Sequence, residues 1–306
     1  MRTAARATVD AALRWSPAQV YFRKRAALRL AVLAYHGIDD PGTFDRQLSY
    51  LARAATPVSL DDVVDASAGR RTLPPRSVLV TFDDGHRSVL ESGLPLLRES
   101  GIPAVAFVVA GLLDTDQPFW WTEVEHLVDA KGTADGYTGL TAAQVVRRLK
   151  TVPDAERLRV IEELRRTARF PAPRQPQLRR SELAELESGG VAVENHTMTH
   201  PCLDRCDDDT VRAEVRDAHA LLHAALGRPP RAFAFPNGNW DPRAERELEE
   251  EGYVAGFLFD HRLSTRAPRN PLRISRLRVA TDTRLDRFAA ILSGLHPAVH
   301  HARGGL

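Results

Sequence analysis

The stretch Val78-Leu-Val-Thr-Phe-Asp-Asp-Gly-His86 constrains the fold more than any other part of the chain. Three aliphatic residues lead into Thr81 and Phe82, two carboxylates follow side by side, and Gly85 ends the run. An apolar run of this length bounded by glycine reads as a buried strand. Consecutive strand residues point to opposite faces, so Asp83 and Asp84 are free to do different work. One can bind a metal ion while the other stands beside it as a base. Taken alone, the stretch is equally consistent with an aspartate that merely caps the next helix, because Asp is a good N-cap.

A second apolar run, Val191-Ala-Val-Glu-Asn-His-Thr-Met-Thr-His200, ends in two imidazoles. Read as an i, i+4 pair, His196 and His200 lie on one face of a helical turn, roughly 5–6 Å apart at Cβ. Histidine is the commonest side-chain metal ligand, and two histidines with one carboxylate form a catalytic zinc set that leaves a position open for water. A histidine pair alone is more often structural. Combined with a strand-terminal Asp-Asp, it is far more specific.

Thr81-Phe-Asp-Asp-Gly85 and His196-Thr-Met-Thr-His200 resemble the first two motifs of the polysaccharide deacetylases, carbohydrate esterase family 4 with its NodB-homology domain. Phe235-Pro-Asn-Gly238 resembles the third motif, and the resemblance runs over roughly residues 30 to 295. It implies an α/β fold, a distorted (β/α)7-type barrel. It implies a divalent transition metal, zinc first and cobalt or nickel as alternatives, and hydrolysis of an N-acetyl group on an amino-sugar glycan. By the same resemblance Asp84, His196 and His200 hold the metal and Asp83 is the general base; the spacing alone does not order the two aspartates. Pro236 fixes φ and Gly238 permits a tight bend, which lets the backbone N–H of Asn237 face the reaction centre. The resemblance makes that N–H an oxyanion donor and puts Pro236 beside the substrate.

Two positions depart from the pattern. The third motif often carries an arginine two residues before its proline, paired with the base; here that position is Ala234. Arg276 or another loop arginine is the expected substitute. The last motif, Leu-x-His, supplies the general acid, yet the only histidine between 270 and 296 is His296. His36, at the end of the strand Leu30–Ile38, and His261 are alternatives, as are metal-bound water and Asp83 itself, so the acid stays unassigned.

Around these motifs, strand–helix–strand order recurs: Val78–Asp84, a helix over Ser88–Ser100, then Ile102–Val109. That order marks a parallel unit. The division expected is an N-terminal helical arm over 1–29, a barrel over 30–296 carrying a helical excursion at about 131–180, and a loose tail over 297–306. Trp120 and Trp121 cannot both face one helix's core. One of them can offer a face to a sugar, or one is buried while the other shields the barrel end.

Charge narrows the function further. With 42 basic and 40 acidic residues, bulk electrostatics give no footing for nucleic acid. The 43% apolar content supports a core without staples, and two cysteines, Cys202 and Cys206, make no disulfide framework. No apolar run of about 18 residues is present, and arginines interrupt Met1–Ala31 where a secretory apolar segment would lie. The expectation is a cytoplasmic protein without a transmembrane segment. The arm's Trp15, Tyr21 and Phe22 leave peripheral membrane contact open beside simple packing on the barrel. The expected partner is an N-acetylated sugar or glycan. An O-acetyl esterase or small-amide amidase on the same barrel, and a non-catalytic glycan-binding module, are the competing readings; the intact Asp83, Asp84, His196 and His200 speak against the last.

Overall fold

A computed structural model describes residues 14–302. Nine strands are present among them: β1 Arg29–Tyr35, β2 Thr56–Pro57, β3 Ser77–Phe82, β4 Ala104–Val108, β5 Val191–Asn195, β6 Ala232–Ala234, β7 Ala255–Phe257, β8 Ser264–Thr265 and β9 Leu277–Arg278. They run in the order β7-β6-β5-β4-β3-β1-β8, with β2 on β3 and β9 on β1. Every pairing is parallel except β1 with β8. The row curls because the segment leading into β9 reaches back to the opposite edge. Ile274 N–H donates to Gly256 O at 2.7 Å and Ile274 O accepts from Leu258 N–H at 2.9 Å. A side chain at Gly256 would run into the Leu272 backbone, so glycine is what admits this approach. Seven parallel strands, β1, β3–β7 and β9, thus curl into a barrel.

Strand alternation divides the core in two. Leu30, Val32, Leu79, Val105, Phe107 and Phe257 pack inside the barrel. Leu33, Tyr35, Val80, Phe82 and Ala106 face outward onto the surrounding helices. On β3 this period of two sets Leu79, Thr81 and then Asp83 on the interior side, so the base candidate emerges at the C-terminal rim, where barrel chemistry collects.

The helices are α1 Pro17–Ala26, α2 Pro41–Ala54, α3 Leu60–Ser67, α4 Leu94–Ser100, α5 Trp120–Asp129, α6 Ala142–Leu149, α7 Asp154–Thr167, α8 Arg180–Ser188, α9 Asp208–Leu226, α10 Pro242–Glu250, α11 Leu285–Leu292 and α12 Leu295–Ala302. Their ends follow local chemistry. Asp40 caps α2 through Thr43 N–H, with Pro41 at the first helical position. Gly227, at φ 69°, closes α9 in the left-handed conformation.

The excursion between β4 and β5 has its own small core. Trp120, Val124 and Leu127 of α5 meet Leu149 of α6 and Val160 and Leu164 of α7. It therefore begins at the tryptophan pair rather than near 131, because the apolar face of α5 packs on these helices. At the N-terminus, α1 docks on α11: Gln19 is buried, its Nε2 donates to Ala289 O at 3.0 Å, and its Oε1 accepts from Ser293 Oγ at 3.0 Å. Trp15 and Tyr21 are exposed, and among the described residues no helix is long and apolar enough to cross a membrane. Residues 1–13 of the expected arm and 303–306 of the expected tail lie outside the description. Where a loose tail was expected from 297, α12 forms instead, with Leu295 and Pro297 buried.

Candidate active site

The two aspartates part because the backbone turns between them. Asp83 still follows the β3 ladder, its N–H donating to Tyr35 O at 2.9 Å, whereas Asp84 adopts φ 70° and Gly85 φ 76°. Aspartate tolerates this left-handed region better than most residues. Asp83 therefore keeps the interior direction and Asp84 swings toward β5.

Asp83 meets Arg276 inside the barrel. Nη1 reaches Oδ1 at 2.6 Å and Nη2 reaches Oδ2 at 2.7 Å, a fork-to-fork pair. Arg276 has no exposed surface. Its Nη1 also donates to Thr81 Oγ1 at 3.1 Å and its Nε to Leu258 O at 2.6 Å. The rings of Phe107 and Phe259 flank the guanidinium. Burial pushes the Asp83 carboxyl up, but Arg276, helped by His196, outweighs it and holds the group below its ordinary value. The arginine missing at Ala234 is thus replaced from the β9 side of the barrel.

His196 and His200 do not sit on a helical turn. Thr197 has φ 70° and His200 φ 59°, so the segment is a knotted loop in which side chains replace helical hydrogen bonds. Asn195 Oδ1 accepts from Thr197 N–H at 2.7 Å, and Thr197 Oγ1 accepts from His200 N–H at 2.9 Å. The Glu214 carboxylate of α9 accepts from Met198 N–H at 2.9 Å, Thr199 N–H at 2.8 Å and Thr199 Oγ1 at 2.6 Å. The i, i+4 spacing brings the rings within 4.8 Å of each other, though by a different backbone from the one expected.

Three acceptors then face one another. Asp84 Oδ1 is 3.4 Å from His196 Nε2 and 3.3 Å from His200 Nε2, and the ligand atoms of the three residues all lie within 4.8 Å. His196 Nδ1–H donates to Ala234 O at 2.8 Å, which leaves the Nε2 lone pair directed at the group. Asp84 Oδ1 is buried without a hydrogen-bond partner. Burial pushes His196 down, but the carboxylates of Asp83 and Asp84 outweigh it and raise it. Burial lowers His200 to about 3. A buried carboxylate oxygen facing two imidazole nitrogens is stabilised by a positive charge placed between them. Donor separations of 3.3–3.4 Å match the edge, about 3.3 Å, of a tetrahedron with metal–ligand bonds near 2.0 Å. The residues fit a divalent metal ion.

A cavity of about 160 Å³ opens above this group, lined by His36, Asp83, Asp84, Trp121, Lys150, His196, His200, Asn237 and Phe259. His36 is exposed at its mouth, edge-on to Phe259 at 5.5 Å. Asn237 adopts φ 55° within the turn Pro236–Gly238. The first N–H groups of such a turn have no partner within it, and Asn237 Nδ2 is anchored to Cys202 Sγ at 3.2 Å. Pro236 is buried behind the turn and does not line the cavity. It shapes the turn rather than touching a ligand.

The two tryptophans divide their work. Trp121 lines the cavity, lies 4.7 Å from the His200 ring, and stacks on Phe119 at 4.9 Å with planes 8° apart. Trp120 is buried under Arg157 and donates Nε1–H to His200 O at 3.0 Å. It is therefore a support for the histidine loop, not the sugar platform that its exposed-face reading allowed. His261 and His296 bond each other at 3.1 Å, and His261 Nδ1 accepts Arg278 N–H at 3.0 Å; neither lines the cavity. Cys202 and Cys206 are free and buried.

Sequence reasoning missed Glu214, Lys150 and Phe259. Glu214 serves backbone atoms some fifteen residues away, a contact that no local pattern announces. Its replacement gives a first prediction. Glu214→Ala removes the loop's three acceptor bonds and is expected to weaken metal binding by about 10–100-fold, as loss of an outer partner does. Titration with zinc against a chromophoric chelator measures it, with Glu214→Gln falling between. An unchanged affinity would mean that the loop holds its shape without the carboxylate.

A family model described as polysaccharide deacetylase matches residues 70–256. The chitooligosaccharide deacetylase of Bradyrhizobium sp. (strain ANU 289) is 42% identical over 67 residues, 22% of this chain and 29% of that protein. The poly-β-1,6-N-acetyl-D-glucosamine N-deacetylase of Escherichia coli (strain K12) is 28% identical over 95 residues, 27% of this chain and 14% of that one. The matches thus span less than a third of these relatives' own length. Among solved structures, the Streptococcus pyogenes deacetylase PplD in complex with acetate superposes with a TM-score of 0.62 at 17% identity, over 87% of this chain and 99% of that chain. IcaB from Ammonifex degensii does so with a TM-score of 0.60 at 21% identity, over 87% and 97%. At these identities the structural likeness concerns the fold.

Proposed function

The chain belongs to the polysaccharide deacetylase family, and from that premise we propose that it is a divalent-metal-dependent hydrolase removing N-acetyl groups from an amino-sugar glycan or glycoconjugate. The observation that carries this reading is the pairing of two devices in one small cavity: a triad of acceptors built for a cation, and a carboxylate forked by a buried arginine. The related chitooligosaccharide and poly-N-acetylglucosamine deacetylases support N-acetylglucosamine units as the substrate.

In this reading Asp84, His196 and His200 hold the ion. A bound zinc-type ion supplies Lewis acidity, which polarises an amide carbonyl and acidifies water. The protein's own groups do the rest. Asp83 takes a proton from the water that adds to the acetamide carbon; each carboxylate oxygen keeps a lone pair beyond its bond to Arg276. The Asn237 N–H meets the carbonyl oxygen as negative charge develops there. The C–N bond then breaks, the proton gained by Asp83 passes to the amine nitrogen, and acetic acid leaves, its own proton going on to the product amine or solvent, so atoms and charge balance. His36 at the mouth is the second group within the cavity able to carry that proton. Trp121, backed by Phe119, offers a flat wall to a sugar ring.

The test is acetate release from N-acetylglucosamine oligosaccharides by metal-stripped protein and by protein reloaded with Zn²⁺ or Co²⁺. Stripping is expected to cost at least about 100-fold, in line with the several kcal/mol of Lewis-acid stabilisation, and reloading to restore it. No release from any N-acetyl sugar at full metal occupancy, together with release from O-acetyl sugars, would transfer the site to an esterase.

A further inference from the structure

Lys150 follows the last turn of α6, and α6 belongs to the excursion, not to the barrel. It nonetheless lines the cavity of about 160 Å³ that holds Asp83 and the metal triad. Leu149, its neighbour, is buried in the excursion's own core. That core is tied to the histidine loop through the Trp120 Nε1–His200 O bond. The backbone carrying Lys150 is therefore fixed relative to the metal triad.

The other charges nearby are committed. Arg276 is forked on Asp83, Arg157 is bound to Asp154 at 2.7 Å, and Asp84 faces the two histidines. Lys150 is half-buried, its backbone N–H closes α6 on Val146 O, and its ammonium makes no hydrogen bond or ion pair with any described residue. An ammonium that lines a ligand cavity and has no ion-pair partner of its own gains from an incoming anion.

We propose that Lys150 makes this cavity selective for amino sugars that carry an anionic substituent, a phosphate or a carboxylate, close to the acetamido group. Trp121 takes the apolar face of the ring and Lys150 takes the anion. The cavity's small volume leaves the two groups within reach of one sugar unit. This inference rests on the deacetylase reading of the same cavity.

The experiment compares metal-loaded wild type, Lys150→Gln and Lys150→Arg on N-acetylglucosamine 1-phosphate and N-acetylmuramic acid against neutral N-acetylglucosamine and chitotriose. The ratio of kcat/KM for anionic over neutral sugars is expected to fall about 10-fold or more in Lys150→Gln, the worth of one hydrogen bond to a charged group. The fall should come through KM, with Lys150→Arg retaining most of the ratio. Calorimetric binding of the same sugars to Asp83→Asn, with and without Lys150→Gln, gives the same ratio without turnover. A Lys150-dependent binding ratio with no acetate released would sink the deacetylase reading and keep this one. The proposal is overturned by a wild type that does not favour the anionic sugars, by equal loss on both classes, or by a change confined to inhibition by acetate, which would make Lys150 a product contact.

Discussion

Asp83→Asn is expected to slow acetate release by about 10²–10⁴-fold, the range that a positioned general base contributes, while the protein still loads one equivalent of metal. The substitution keeps the shape of the side chain and one oxygen for Arg276, but removes the group that takes the proton from water. Metal loading survives because the left-handed backbone at Asp84 sends the neighbouring carboxylate to a different wall. The triad atoms are Asp84 Oδ1 and the two imidazole Nε2 atoms, and none belongs to Asp83. Acetate assays run alongside metal analysis of the same sample separate the outcomes. Metal lost together with activity would make Asp83 a ligand rather than a base. Activity retained with metal bound would move the base to another group of the cavity, and His36 is the one at its mouth.

The parts of this site legible in the sequence are those encoded by neighbours in the chain. An apolar run closing on Asp-Asp-Gly announces a strand end, and the His-x-x-x-His spacing announces two rings that meet. What the spacing did not carry is the conformation that makes them meet. The helical geometry inferred for His196–His200 gave way to a loop, because Asn195, Thr197 and Glu214 satisfy the N–H groups that a helix would have bonded internally. Long-range partners were legible only as vacancies. Ala234 stood where an arginine was expected, and its contribution is instead a backbone carbonyl that fixes the His196 ring. The filling of the vacancy by Arg276 depends on barrel closure through Gly256 and Ile274. Adjacent Trp120 and Trp121 cannot share one face of a helix, but which ring is buried follows from α5 packing on α6 and α7. Lys150 carries no sequence signal at all, since its place depends on how the excursion folds over the rim.

Arg276→Met is expected to cost about 3–5 kcal/mol of stability, the usual consequence of leaving one partner of a buried ion pair alone. Few residues here have more to lose. Arg276 is fully buried, Asp83 is 3% exposed, and the guanidinium also bonds Thr81 Oγ1 and Leu258 O. Lysine is no substitute, because a point charge cannot fork a carboxylate. The double variant Asp83→Asn/Arg276→Met removes both charges and is expected to recover more than half of the loss, since the main penalty is an uncompensated carboxylate rather than an absent attraction. The pH dependence has a definite sign. Asp83 is held below its ordinary value, so the pair's contribution is complete above about pH 4, where a free aspartate is ionised. It disappears as pH falls through the depressed value in the folded protein. Urea unfolding of the metal-free wild type, single and double variants at neutral and acidic pH measures all of this. Equal losses in the single and double variants would show that Arg276 supports the barrel by packing between Phe107 and Phe259 instead. A gap between wild type and Arg276→Met that widened in acid would contradict the depressed carboxylate.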